Sequence, residues 1–316
     1  MTQKIINFQQ VNKVYGDTTV VKDLDLEINE GEFFVLVGTS GSGKTTTLKM
    51  INHLITPTSG KVIVSGQNLN QANIRHLRLN IGYVLQESAL FPNLTVEQNI
   101  AVIPEMKKWS KSKIYERVRE LLEDVDLNPD EYAQRYPSDL SGGEQQRIGI
   151  LRAIAVNPPL VLMDEPFSAL DPIVRTQLQD LVLQIHRATK TTIVFVTHDM
   201  NEALRLGERI AVMRDGAIQQ VATPQEITTN PANNFVNSFF AGSDLQQNPL
   251  KWPFMRIPKR YFKEDLKSLV RISPFSSINE ALPLFASNEL IRVADEKVDL
   301  GYLTRSSLFK FLAQES

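Results

Sequence analysis

Residues Gly38-Thr39-Ser40-Gly41-Ser42-Gly43-Lys44-Thr45 constrain this chain more than any other stretch. They follow the apolar run Phe33-Phe34-Val35-Leu36-Val37 and precede the helix-like Thr46-Thr47-Leu48-Lys49-Met50-Ile51. A strand feeding a glycine-rich turn and then a helix is the context that the pattern G-x-x-x-x-G-K-S/T requires. Glycines let backbone N–H groups turn inward onto a polyphosphate, and the helix N-terminus adds partial positive charge. Gly38, Thr39, Ser40, Gly41, Ser42, Gly43, Lys44, Thr45 and Thr46 are therefore expected to hold a nucleotide. Lys44 is expected to reach its β- and γ-phosphates, and the Thr45 hydroxyl to hold Mg²⁺.

The remainder of the 316 residues narrows what that loop can serve. Lys plus Arg number 34 against 36 Asp plus Glu, so no strong net field draws the chain to nucleic acid. Cysteine is absent and only 4 histidines occur, unclustered, which argues against disulfides and thiolate or zinc sites and agrees with a reducing cytosol. The N-terminal Met1-Thr2-Gln3-Lys4-Ile5-Ile6-Asn7 lacks the apolar core of a signal peptide. No apolar run approaches the roughly 20 residues that span a bilayer, so the chain is expected to be soluble and to reach a membrane only through a partner.

Along the chain, residues 4–37 read as β structure, with turns at Gly16-Asp17 and Asn29-Glu30-Gly31. Strands are expected at 61–64, 81–85, 160–163 and 192–196, and a largely helical region at about 88–155. Within that region Ile114, Val118, Leu121, Leu122 and Val125 form one apolar stripe. Asp171-Pro172 starts a helix whose inward stripe is Val174, Leu178, Leu181, Val182 and Ile185. A helix at about 199–206 and short strands at 209–213 and 217–221 complete a mainly parallel α/β domain with an early antiparallel piece. Residues 242–253 read as a linker. Beyond it lies a small α/β unit with strands near 269–272, 290–294 and 299–303 and helices near 277–286 and 306–313.

Four features follow the glycine-rich loop in order. The strand Leu160-Val161-Leu162-Met163 ends in Asp164, a second carboxylate for Mg²⁺, and in Glu165, placed to polarise a water towards the γ-phosphate. Gln86 and His198 each end a buried strand, at the carboxyl edge where α/β folds place ligands. Tyr15 sits before a turn, where its ring would stack on a base. Leu140-Ser141-Gly142-Gly143-Glu144-Gln145-Gln146-Arg147 opens a second helix on glycines, and thus a second anion site.

Taken together, residues 1–241 resemble the ATP-binding subunits of ABC transporters. The resemblance makes residues 38–45 Walker A, Gln86 the Q-loop glutamine and a further contributor to the metal site, and Leu140–Arg147 the signature. It makes Leu160–Glu165 Walker B, residues 168–171 the D-loop and His198 the switch histidine, and it gives Tyr15 an adenine to stack on. It implies an ATPase in which Lys44, Gln86, Glu165 and His198 act on ATP. It also implies a head-to-tail dimer in which Ser141, Gly142, Gly143 and Glu144 of one copy close over the Walker A of the other. Transmembrane permease subunits, gripped by the helical region at 88–155, and indirectly a substrate-binding protein or domain are the other implied partners. The resemblance places such a subunit at the cytoplasmic face of a bacterial cell membrane. One departure is Glu144, where the family usually has glutamine. Its charge is expected to be tolerated, because backbone N–H groups and Ser141 make the main phosphate contacts.

The stretches Thr39–Asn52 and Phe91–Ile100 are similar to importers of osmoprotectants such as glycine betaine, choline and carnitine. Residues 254–316, with Gly301-Tyr302-Leu303-Thr304-Arg305, resemble a single CBS-like regulatory unit. An importer of amino acids or another small cation is the alternative. A non-transport ABC ATPase is the other alternative, although a chromosome or repair ATPase is expected to carry a long coiled-coil insertion, a translation ATPase two nucleotide domains, and a pure sensor to lack Lys44 or Glu165.

Overall fold

A computed structural model describes residues 3–241, 262–263, 270–274, 276–294 and 299–315. The chain divides into two compact units, Met1–Ile227 and Thr228–Ser316. The linker expected at 242–253 lies outside the described residues, as does part of the unit expected at 254–316.

The first unit begins with the long strands β1 (Lys4–Tyr15) and β2 (Thr18–Asn29), then β3 (Phe33–Gly38) and helix α1 (Lys44–Ile51). Next come β4 (Ser59–Val64), β5 (Gln67–Asn68), α2 (Ile74–Leu79) and β6 (Ile81–Val84). The helical stretch consists of α3 (Val96–Met106), α4 (Lys111–Glu123), α5 (Pro129–Tyr132) and α6 (Gly142–Ile154). Then follow β7 (Leu160–Asp164), α7 (Pro172–Thr189), β8 (Thr192–Thr197), α8 (Met200–Leu206), β9 (Arg209–Arg214), β10 (Ala217–Ala222) and α9 (Pro224–Thr229). The expected parallel sheet, antiparallel piece and helical region are all present.

Two sheets organise the unit. The antiparallel one runs β2-β1-β4-β5, and the larger one runs β10-β9-β3-β8-β7-β6. In the larger sheet β9, β3, β8, β7 and β6 are parallel, and only β10 is antiparallel, on an edge. Strands β3, β7 and β8 are buried at every residue, as parallel strands covered on both faces must be, and this is why they read as unbroken apolar runs. Their register sets Val37 beside Thr197 and Asp164 beside Val196, so the three carboxyl ends lie level. One core cluster joins both sheets, with Ile6, Phe8 and Ile28 from the antiparallel sheet packed with Phe34, Leu36, Leu162 and Val194.

The helices start where polar caps say they should. Ser110, Ser141, Asp171 and Asp199 each accept backbone N–H groups at the first turn of α4, α6, α7 and α8. Ile114, Val118, Leu121 and Leu122 are the buried face of α4, as their spacing requires. On α7 the buried face is Leu178, Gln179, Val182 and His186, while Val174, Leu181 and Ile185 are half-buried. Two polar residues thus take core positions that an apolar-only reading assigns elsewhere, and each has a partner: Gln179 with Glu202, and His186 with the Thr191 carbonyl. Helices α2 and α9 are too short for periodicity to reveal. For α9 a usable signal is the capping box Thr223-Pro224-Gln225-Glu226, in which Thr223 N donates to Glu226 and Glu226 N to Thr223 Oγ1.

The second unit holds α10 (Asn234–Phe240), β11 (Phe262–Lys263), β12 (Arg271–Ile272), α11 (Ile278–Ser287), β13 (Leu290–Ala294), β14 (Asp299–Thr304) and α12 (Arg305–Glu315). Its sheet runs β11-β14-β13-β12, with β12 parallel to β13 and the remaining pairs antiparallel. Ile278, Phe285, Ile291, Val293, Leu303 and Phe311 form its own core. Because residues 244–316 carry the whole second cluster and none of the first, their removal is expected to leave the melting temperature of the remaining chain within about 4 °C of the full protein's first transition. Loss of cooperative unfolding in the truncated chain would contradict that independence.

Candidate active site

The glycine-rich loop leaves β3 at Gly38. A Cβ there would stand 2.1 Å from the Met213 carbonyl oxygen on β9, so only glycine fits between loop and sheet. At Gly43, where φ is +99°, a Cβ would stand 2.6 Å from the Val20 carbonyl of β2. Gly43 precedes α1 and no side chain caps that helix, so its first N–H groups have no intrahelical acceptor. The Ser42 Oγ is buried with no hydrogen-bond partner in the protein. These donors, an uncapped helix start and a buried hydroxyl around one glycine-rich turn fit a polyphosphate.

Lys44 is only 4% exposed and folds back over the loop, its Nζ donating to the carbonyls of Gly38 and Thr39, 2.9 Å to each. Burial lowers its pKa, against the charges of Glu165 and Asp164, which raise it. Beside it Thr45 Oγ1 donates to Asp164 Oδ1 at 2.8 Å. Burial raises the Asp164 pKa, opposed by that hydrogen bond and by Lys49. Hydroxyl and carboxylate oxygens so close, next to a phosphate cradle, make a donor set suited to Mg²⁺, which prefers a few protein oxygens plus phosphates and waters. Gln86, exposed, follows β6 two residues past Val84, the strand partner of Met163, and so lies at the same sheet edge as Asp164.

Glu165 has a left-handed backbone, φ +46°, a conformation that costs a residue of its kind roughly 1–3 kcal/mol. The surrounding bonds hold it: Glu165 N donates to the Val196 carbonyl at 3.0 Å, and the Glu165 carbonyl accepts from Ser168 N and Oγ. The bend aims the carboxylate at His198, whose Nδ1 lies 2.7 Å from Glu165 Oε2. A histidine ring and a carboxylate thus meet beside the phosphate cradle, one from the end of β8 and one from the end of β7.

The second glycine-opened helix, α6, has a full capping box. Glu144 accepts from Ser141 N and from Ser141 Oγ, both at 2.7 Å, and from the Tyr132 hydroxyl at 2.8 Å, while Glu144 N donates to Ser141 Oγ at 3.3 Å. The Ser141 hydroxyl is the largest of the influences that hold the Glu144 carboxyl below its ordinary range. The partners of this turn lie in the helical layer and α7, where Val174 occupies the space a Cβ on Gly143 would need. Tyr15, 48% exposed, ends β1, with Lys13 Nζ 4.6 Å over its ring. Its hairpin meets the phosphate loop at Val20.

Composition and spacing did not reveal what holds the segment around Gln86. Gln146 Nε2 donates to the Leu85 carbonyl, Ser88 Oγ to Gln145 Oε1, and Arg152 to the carbonyls of Ser88 and Ala89. Helix α6 and the Gln86 segment are therefore joined by four bonds on both sides of Gln86. The only advance sign is two glutamines and an arginine on the otherwise apolar side of α6.

Two predictions follow from these geometries. The fold binds the Asp164 proton more tightly than the unfolded chain does, so the ionised carboxylate costs stability once the pH rises above the unfolded value. Asp164→Asn should thus melt higher than wild type at pH 7 without nucleotide, yet gain less from added Mg²⁺ and ATP; a lower melting point would refute the sign. In α6, Glu144→Ala should lose about 1 kcal/mol in denaturant unfolding, whereas Glu144→Gln, which can still accept from Ser141, should lose little. Equal losses would assign the effect to charge and not to the cap.

Comparison with known proteins gives a consistent result. The family described as ABC transporter matches residues 21–168. The glycine betaine/carnitine/choline transport ATP-binding protein OpuCA of Bacillus subtilis is 51% identical over 245 residues, 77% of this chain and 64% of its own length. The choline transport ATP-binding protein OpuBA of the same organism is 44% identical over 303 residues, 95% of this chain and 78% of its own length. This chain therefore spans less than two thirds of the first relative and more than three quarters of the second. Among solved structures, the dimeric post-hydrolysis state of the ATP-binding cassette MJ0796 bound to ADP and Pi superposes with a TM-score of 0.63 at 35% identity, covering 69% of this chain and 98% of that one. No helix among the described residues is long and apolar enough to cross a membrane.

Proposed function

The chain belongs to the ABC transporter ATP-binding family, and from that premise we propose that it is the ATP-hydrolysing subunit of an importer for osmoprotectants such as glycine betaine, choline or carnitine. The observation that carries the reading is the adjacent pair Asp164 and Glu165: the first bonds Thr45 of the phosphate loop and the second bonds His198. One strand end thereby links a metal-type donor set to an acid–histidine pair.

In this reading the free N–H groups at the start of α1 and the Lys44 ammonium bind the β- and γ-phosphates, with Gly38 to Thr46 as the cradle and the Tyr15 ring against the base. Thr45, Asp164 and Gln86 hold Mg²⁺, which when bound neutralises charge on the phosphate oxygens. Glu165 takes a proton from the attacking water, and His198 keeps the carboxylate aimed at it. Ser141, Gly142, Gly143 and Glu144 face the nucleotide of a second copy, and ATP favours the closed pair of subunits. The dimeric relative supports this arrangement.

The names of the relatives, ATP-binding proteins for glycine betaine, carnitine and choline transport in a bacterium, support the cargo class. To this reading belong transmembrane permease subunits, and indirectly a substrate-binding protein or domain, as partners at the cytoplasmic face of a bacterial membrane. In the second unit the order β12, α11, β13, β14, α12 supports a single CBS-like regulatory unit. The domain limits we assign are 1–241 for the ATPase, 242–253 for a linker and 254–316 for this unit.

The test is Glu165→Gln in the full chain. The variant should bind ATP, accumulate as a dimer in size-exclusion chromatography, and hydrolyse ATP at least about a hundredfold more slowly than wild type. Turnover at the wild-type rate would remove Glu165 from the role of base.

A further inference from the structure

Beside the Glu165–His198 pair lies a small, partly open polar cavity of about 30 Å³, lined by those two residues and by Ser168, Arg175, Thr197, Asp199 and Glu202. One water needs roughly 10–15 Å³ of such space, together with two to four polar partners. The Arg175 Nε is a buried donor with no acceptor in the protein. Its other groups are engaged: Nη2 donates to the Leu170 carbonyl in the segment 168–171 at 3.0 Å, and Nη1 lies 3.7 Å from Asp199 Oδ2.

Glu202, on α8, is 5% exposed. Its Oε2 accepts from Thr197 Oγ1 at 2.5 Å and its Oε1 from Gln179 Nε2 at 3.3 Å. Thr197 Oγ1 in turn accepts the amide of Asp199 at 3.0 Å. The residues on both sides of His198 are thus fastened to one buried carboxyl group. Burial raises the pKa of that group, with Asp199 adding to the shift and Thr197, Arg175 and Gln179 opposing it. A carboxyl so deeply buried, held by neutral donors, is costly to keep unless it does something for the residues it binds.

We propose that Arg175 and Glu202 hold one bound water in this cavity and act as positioning residues for the Glu165–His198 pair, with Arg175 tying in the segment 168–171 and Glu202 the backbone at His198. The water accepts from Arg175 Nε and donates to the carboxylates of the cavity, so that the strand end carrying His198 and the segment after Glu165 keep one relative geometry. Neither residue touches the phosphate loop. Their removal therefore affects turnover and leaves nucleotide affinity alone. The inference rests on the ATPase reading above.

The test combines a crystal structure of the full chain with steady-state ATPase kinetics of Glu202→Gln and Arg175→Lys. An ordered water within hydrogen-bond distance of Arg175 Nε is expected. Both variants should lose about tenfold to a hundredfold in kcat, with KM for ATP unchanged and the melting temperature not lowered. A protein acceptor on Arg175 Nε in place of water overturns the proposal. So does wild-type kcat in both variants, or a parallel fall of kcat, ATP affinity and melting temperature, which marks a purely structural role. Glu165→Gln separates the two readings. If it abolishes turnover while Glu202→Gln and Arg175→Lys do not change it, this inference alone fails; if wild type hydrolyses no ATP, both fail.

Discussion

Everything at the site depends on the parallel register of three buried strands. Strands β3, β8 and β7 lie side by side with their carboxyl ends level, Val37 beside Thr197 and Val196 beside Asp164. The phosphate loop, the acid pair and the histidine each begin where one of these strands stops. A shift of one residue in any strand would turn its side chains to the opposite face and separate the groups. The apolar runs that hold the register are buried on both faces, which is why it is strongly specified.

This edge carries its charges at a cost. Lys44, Asp164 and Glu202 are all buried, and burial disfavours the charged form of each. Each is answered by specific bonds: carbonyls of the loop for Lys44, Thr45 for Asp164, and Thr197 with Gln179 for Glu202. The left-handed turn at Glu165 belongs to the same pattern. It persists because bonds to Val196 and Ser168 hold it, and it aims a carboxylate at His198. At Glu144 the charge has a simpler use than the sequence suggests, since it completes the cap of its own helix and takes the Ser141 hydroxyl.

Much of the fold was legible because its signals are local. Unbroken apolar runs marked the buried strands, Asp171-Pro172 marked the start of α7, and 3.6-residue spacing marked α4. The short helices α2 and α9 escaped because six residues are too few for a period to show. Gln179, His186 and Glu202 escaped for another reason. A buried polar residue is recognised by its partner, and their partners come from other segments or other elements.

The sequence by itself determined the chemistry available at the edge: the glycine spacing of the phosphate loop, the lysine and threonine that follow it, the acid pair ending one strand and the histidine ending another. Only the tertiary structure decided which of these meet. Thr45 bonds a carboxylate 119 residues away, and Glu165 bonds a histidine 33 residues away. It also set Arg175 and Glu202 around one small cavity beside them. Such pairings follow from strand order and register. These are fixed by packing between segments distant in the chain, and no local period records them.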